Sequence, residues 1–279
     1  MTGLGLAGYA FYEPFRYRLT TKDVICGAAC PPLDVLHISD THMRAGDRKL
    51  AHWLESLPDA LGEPPDLVLA TGDLIEENEG IDTLLDSLNA IEARLGRFYV
   101  FGSHDYYVST FKPYTKYFRP STGPAESAPA DTERLREGLS SKGWISLINT
   151  THLLDSPHGR IRLAGVDDPY LKRHTTEHIR RAGDEVLAIG LVHAPDVVSE
   201  WVLAGFDLVV AGHTHAGQVR VPGFGALVTN CSLPNALAGG LHRVGDGYLH
   251  VSPGLGAGKY SPVRFACRPE ATRLRLRPA

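Results

Sequence analysis

The sequence predicts an α/β protein with two facing mixed β-sheets flanked by helices, a four-layer α/β/β/α sandwich. Three observations carry this expectation. Apolar runs rich in branched residues alternate with helix-periodic stretches through residues 33–102, the pattern of right-handed crossovers and a largely parallel sheet. A second group of apolar runs follows between residues 145 and 211. The 279 residues are 43% hydrophobic and 22% charged, enough apolar material for a sizeable core without disulfides.

Taken in order, residues 33–39 (LDVLHIS) are a short apolar run and read as a buried strand. Residues 47–57 place Leu50, Trp53, Leu54 and Leu57 on one helical face, and Pro58 is expected to end that helix. Residues 66–71 (DLVLAT) read as the next strand, residues 81–95 as a second amphipathic helix, and residues 97–102 (RFYVFG) as a third strand. Residues 112–130, rich in Pro, Ser and Tyr, read as a long surface loop of the kind that often covers a site. Residues 131–142 are expected to be helical, with shorter strands around 145–154 and 160–166 and a helix around 175–182. Residues 185–193 (EVLAIGLVH) and 207–211 (DLVVA) read as strands with a helix at 194–204 between them, and residues 217–276 as turns and short strands.

Residues 1–32 are set apart from a main domain at 33–279. Within them, residues 3–12 are apolar but about half the length that spans a bilayer, with no basic flank before and no cleavage site after. The expectation is neither a signal peptide nor a transmembrane helix as written, with the tail of a truncated membrane anchor as the alternative, which leaves the location cytoplasmic or membrane-associated. Cys26, Cys30, Cys231 and Cys267 fit no zinc ribbon or disulfide framework and are expected to be free thiols. The net charge of −4, with no basic half, gives no sign of nucleic-acid binding.

Each strong strand is followed at once by Asp or His. These are Asp40 and His42, Asp73, the Ser103-His104-Asp105 run, His193, and His213 with His215. In open α/β sheets ligands gather outside the carboxyl ends of strands, so these ends should converge. Carboxylate with imidazole suits Zn, Fe, Mn or Co better than Mg or Ca alone. Asp40 and His42, two apart on an extended segment, put both side chains on one side, and His213 and His215 repeat that spacing. A carboxylate between them, such as Asp73, could bridge two ions. Ions about 3.5–4 Å apart clamp the attacking and leaving oxygens of a phosphoryl displacement and acidify bound water. One Asp-x-His says little; five strand ends in series say much more.

Several other residues have plainer readings. His37 is expected to be a hydrogen-bonded core imidazole, and His174 and His178 a solvated helix face. Asp167-Asp168-Pro169 reads as a turn before proline or as a further ligand pair, the turn being plainer. Tyr106 and Tyr107 read equally as substrate contacts or as core and rim residues. Residues 252–259 (SPGLGAGK) lack the spacing of a nucleotide P-loop.

On these segments the chain resembles the calcineurin-like metallophosphoesterase family. The matching residues are Asp40-Thr41-His42, Gly72-Asp73, Gly102-Ser103-His104-Asp105, His193 and Gly212-His213-Thr214-His215, in family order. Residues 217–218, 224–231 and 263–272 are also similar to bacterial, actinobacterial phosphodiesterase-like members that are often anchored to a membrane. The resemblance implies two divalent transition-metal ions (Mn, Fe, Zn or Co). Asp40, His42 and His215 would hold the first, His193 and His213 the second, and Asp73 both. It implies that His104 protonates the leaving oxygen or binds a phosphate oxygen, and that Asp105 orients His104. The expected activity is hydrolysis of a phosphate ester, a diester rather than a monoester, by metal-activated hydroxide, with a peripheral membrane association. One departure stands out: the family has Asn as a ligand of the second ion where this chain has Ser103. A water could fill the gap, the second ion could bind loosely, or His104 could swing in. The rival expectations are a metal-binding scaffold with little or no turnover, and a lipid or nucleotide pyrophosphatase.

Overall fold

In the computed structural model, residues 3–28, 30–109, 128–223, 225–226 and 228–279 are described. Strands β1 (Arg18–Cys26), β2 (Leu33–Ile38), β3 (Leu67–Thr71), β4 (Gly96–Val100) and β5 (Trp144–Ser146) build most of one sheet. Strands β6 (Thr150–Ser156), β7 (Gly159–Gly165), β8 (Leu187–Leu191) and β9 (Leu208–Ala211) begin a second. A small ribbon, β10 (Arg220–Val221) with β11 (Gly225–Ala226), precedes β12 (Gly240–Val244), β13 (Gly247–Val251) and β14 (Glu270–Pro278). The two six-stranded sheets have the orders β1-β14-β2-β3-β4-β5 and β12-β13-β9-β8-β7-β6. Strands β2 to β5 run parallel, as do β7, β8, β9 and β13, while β14, β6 and β12 make antiparallel pairs.

The helices are α1 (Gly3–Tyr12), α2 (Arg48–Glu55), α3 (Leu57–Leu61), α4 (Ile81–Asn89), α5 (Thr132–Ser141) and α6 (Val198–Leu203). Alternate residues of β2 and β3 explain the layering. Val35, Leu67 and Leu69 face Leu163, Ile189 and Val210 of the second sheet, while Leu36, Val68 and Ala70 face outward onto Leu54, Leu84 and Leu135 of the helices. Burial on both faces is why these strands read as continuous apolar runs. On the far side, Trp201 and Phe206 cover Ala188, Val209 and Ala211. The expected four-layer α/β/β/α architecture is therefore present.

Several elements differ from expectation. Residues 145–154 are not one strand: the chain leaves the first sheet after β5 and joins the second at β6. Residues 175–182 are not helical, because their polar groups bond elsewhere. The Thr175 amide donates to Asn149, His178 Nε2 lies 2.9 Å from Gly165 O, and Arg181 reaches Asp207. His174 and His178 therefore share no helix face. The helix from Ile81 stops at Asn89, since the amides of Arg94 and Leu95 bond Pro65 O and Asp66 O. Pro58 does not end a helix; it sits in the first turn of α3, where a missing N–H costs nothing. The tail contains the nine-residue β14, longer than expected, inserted between β1 and β2. Residues 18–26, in the segment expected to stand apart, pair along their whole length with β14. Most of the expected loop at 112–130 lies outside the described residues. None of the four cysteines is in a disulfide. Among the described residues, no helix is long and apolar enough to cross a membrane.

Candidate metal centre

The parallel strands of both sheets deliver their carboxyl ends to one place. There the backbone turns sharply: Asp40, His42, Asp73, His213 and His215 all have left-handed φ, at 49°, 42°, 48°, 68° and 48°. Such non-glycine residues each store on the order of 1–3 kcal/mol and persist only where the surroundings over-determine them. Here the Asp40 amide bonds Gly72 O, the His42 amide bonds Asp73 O and the Gly212 amide bonds His193 O, at 3.0, 3.0 and 2.9 Å. Two glycines let the strand ends close up. A Cβ on Gly102 would lie 2.4 Å from Asp73 Oδ1 and 2.6 Å from His193 Nε2; one on Gly212 would lie 2.3 Å from Asp40 Oδ2.

The result is a tight cluster of ligand atoms. Those of Asp40, His42 and His215 lie within 4.8 Å of one another, as do those of Asp40, Asp73 and His193, and those of His42, Glu76 and His104. Asp73 Oδ2 stands between two imidazoles, 3.7 Å from His42 Nε2 and 3.3 Å from His193 Nε2. His213 falls outside these sets, yet its ring centroid is 5.1 Å from that of His193, and its amide donates to both oxygens of Asp40.

Hydrogen bonds fix which nitrogen each ring turns inward. His42 Nδ1 is 2.6 Å from the buried Glu76 Oε2, which turns Nε2 inward, to a hydrogen bond of 3.1 Å with His215 Nε2. His193 Nδ1 donates to Thr71 O at 2.7 Å, and His213 Nε2 donates to Asn230 O at 2.9 Å. A carbonyl only accepts, so in the neutral rings the lone pairs fall on His193 Nε2 and His213 Nδ1. Among the described residues His193 Nε2 is buried without a hydrogen-bond partner; its approach to Asp73 lacks hydrogen-bond geometry. Inward-turned imidazole nitrogens and carboxylates gathered out of water call for a cation.

The buried carboxylates that would hold a cation also raise the pKa of two of the imidazoles, whose inward protons an ion would displace. Burial pulls the His42 pKa down, but the hydrogen bond and charge of Glu76 outweigh it and carry it up to about 9. Against the same burial, the Asp73 carboxylate holds His193 well above the ordinary range, and burial pushes Asp40 up. Burial, then the neighbouring His42 and Arg264, hold His215 well below it, so that ring stays neutral.

His104 sits at the open side, its side chain 28% exposed where those of His42, His193 and Asp40 are at most 3%. Its Nδ1 lies 3.1 Å from Ser109 Oγ and 3.5 Å from Glu76 Oε2. Asp105 does not touch that imidazole. It accepts from the amides of Leu74, Ile75 and Gly102, tying the Asp73 loop to the His104 loop, because successive residues of a single helical turn point apart. Burial raises its pKa to about 7. Ser103 opens that turn and is half-buried.

Three groups had no signal in the motifs. Glu76 orients His42. Arg264, fully buried, lies 3.2 Å from His215 Nδ1 and donates to Gly254 O and Gly256 O. His37, in the expected core, is a link in a polar chain: His250 Nδ1 to His37 Nδ1 (2.8 Å), His37 Nε2 to Thr71 Oγ1 (2.8 Å), Thr71 to Ser39 (2.7 Å) and Ser39 to Asp40 Oδ2 (2.6 Å).

A cluster of carboxylates and inward-facing imidazoles at the strand ends of a four-layer sandwich defines a metal-dependent hydrolase. The chain belongs to the calcineurin-like phosphoesterase family, whose model matches residues 33–217. It is a metallophosphoesterase, acting on phosphate ester bonds. It is 26% identical to an uncharacterized metallophosphoesterase, YkoQ of Bacillus subtilis, over 94% of each chain. It is 28% identical to the phosphodiesterase YaeI of Escherichia coli, over 99% of this chain and 93% of the relative. Among solved structures, the NAD nucleotidase of Haemophilus influenzae shares the fold at 13% identity and TM-score 0.50, covering 81% of this chain and 46% of that one.

Proposed function

We propose that the centre holds two divalent transition-metal ions and hydrolyses a phosphodiester. The reading rests on one observation above others: three imidazoles each with one nitrogen tied outward and the other turned inward, one of them on a fully buried His193, around two carboxylates. Asp40, His42 and His215 would hold the first ion, His193 and His213 the second, with Asp73 between them and Ser103 beside the second. When bound, such ions activate water as a nucleophile and neutralise charge on the phosphoryl oxygens. The protein does the rest. Asp40, Asp73 and Glu76 provide the negative field that keeps the ions, and the buried walls keep bulk water away. His104, held at Nδ1 by Ser109, faces the opening and protonates the leaving oxygen, help worth about two to four orders of magnitude in rate. The diester preference is supported by the likeness to a phosphodiesterase. A peripheral membrane association is supported by Phe11, Tyr12 and Phe15, which are 59%, 60% and 49% exposed beside one another at the end of α1.

The test is metal analysis of the purified chain together with cleavage of bis(p-nitrophenyl) phosphate in Mn²⁺. Close to two ions per chain and cleavage abolished by chelator are expected. One ion or none, with no cleavage in Mn²⁺, Zn²⁺, Fe²⁺ or Co²⁺, would establish the scaffold reading that Ser103 favours.

A further inference from the structure

We infer that Asp168 is a further anionic group of the second ion's site, supplying from β7 what Ser103 does not supply from β4. This rests on the two-ion reading above and adds a residue to it. Two adjacent carboxylates follow β7, and the structure uses them differently. Asp167 is spent on its neighbours: Oδ1 accepts from Tyr106 Oη at 2.7 Å and from the Asp168 amide at 2.8 Å, and Oδ2 from Arg173 Nε at 3.1 Å. Asp168 is fully buried. Among the described residues its Oδ1 accepts only the Tyr170 amide, at 3.0 Å, and its Oδ2 has no hydrogen-bond partner. An ionised carboxylate oxygen sealed from water and left bare is among the most costly groups a fold can carry, unless a cation or a proton meets it.

The topology says which cation. β7 lies beside β8 in the second sheet, and the amide of Val166 bonds Leu191 O, so the residues after β7 run alongside those leading to His193. The charges acting most on Asp168 are the His193 imidazole and the Asp73 carboxylate. The turn it begins also carries Tyr170, whose ring centroid is 5.3 Å from that of His213. Asp168 therefore borders the half of the centre formed by His193, His213 and Asp73, the half in which serine replaces the family's asparagine. A carboxylate there restores an oxygen and adds a charge, which favours a divalent ion more than the neutral amide would.

The test is calorimetric titration of metal-free chain with Mn²⁺, comparing wild type, Asp168→Asn and Asp168→Leu. Asparagine keeps an acceptor for the Tyr170 amide and removes the charge; leucine removes every ligating atom. Wild type is expected to take up two ions. Both variants should keep the first within about twofold and bind the second at least about tenfold more weakly, leucine more so. The retained first ion shows that the variants are folded. Two ions bound with unchanged affinity in both variants would overturn the role of Asp168 alone. Equal weakening of both ions would also overturn it, assigning Asp168 to the scaffold. A wild type that binds one ion would overturn the two-ion reading itself.

Discussion

Glu76 governs the chemistry of His42 although no motif announces it. It is 0% exposed, and the charge and hydrogen bond of His42 outweigh its burial to hold its carboxyl down at about 2, so it stays ionised and turns the imidazole's other nitrogen inward. Carboxylates in this position typically contribute about 10–100-fold in metal affinity. Glu76→Gln should weaken the first ion by that order, read by competition with a chelating dye; an affinity that stays put would mean His42 needs no such partner. A steric prediction stands beside it. Gly102→Ala should leave the circular dichroism spectrum native while abolishing binding of the second ion, because its methyl group would fall on Asp73 and His193. Native binding in that variant would show that the loop can yield. Asp40, His42, Asp73, His193, His213 and His215 were legible in the sequence because each stands directly after an apolar strand, so chain position alone fixes location. Glu76 and Arg264 were not: they lie in irregular segments, and only tertiary packing brings them to the histidines. The role expected for Asp105 shows the same limit in reverse, since its sequence neighbour is not its partner.

At the level of elements, the polar chain from His250 to Asp40 crosses the space between the sheets. An ionised Asp40 can only accept, so every donor in the chain must point toward it. His37 is then protonated on Nε2 and His250 on Nδ1, both neutral. Burial holds His250 down at about 3 and His37 well below the ordinary range. The unfolded chain therefore binds the extra protons: the stabilisation from each neutral histidine is complete above the ordinary histidine pKa of about 6.5 and fades as pH falls toward the folded value. His250→Phe should flatten the pH dependence of stability between pH 6.5 and 5 by up to about 1.4 kcal/mol per pH unit relative to wild type. Urea unfolding of the metal-free chain at several pH values measures this, and parallel curves would sink the idea. The buried strands were readable as unbroken apolar runs. The helix expected at 175–182 was not there to be read, because the side chains of Asn149 and Glu185 take up its first and last amides. β14 escaped notice because its arginines at 273, 275 and 277 mask the inward Leu274 and Leu276.

Over the whole molecule, the two sheets are equivalent in one respect that matters: the parallel strands of both end at the same edge, so a site assembled there draws on residues from 40 to 215 of the chain. Near that edge, where Arg264 and Cys267 reach His215 and their amides bond Ala10 O and Glu13, lies the exposed aromatic group of Phe11, Tyr12 and Phe15. If it meets a bilayer, wild type should co-sediment with vesicles of phosphatidylcholine and phosphatidylglycerol. The Phe11→Ser, Phe15→Ser double variant should stay in the supernatant with its hydrolytic rate on soluble substrate intact, and equal sedimentation of the two proteins would dismiss the patch.

The position of β14 also dictates an order of events. Arg18 pairs with Glu270 and Cys26 with Pro278, so among the described strands β1 has its one neighbour in β14, about 250 residues further along. At translation rates of about 5–20 residues per second, roughly 10–50 s pass before that neighbour emerges from the ribosome. Until then β2 forms the rim of the first sheet, its unpaired amides open to any passing strand, and the nascent protein depends on whatever shields that rim.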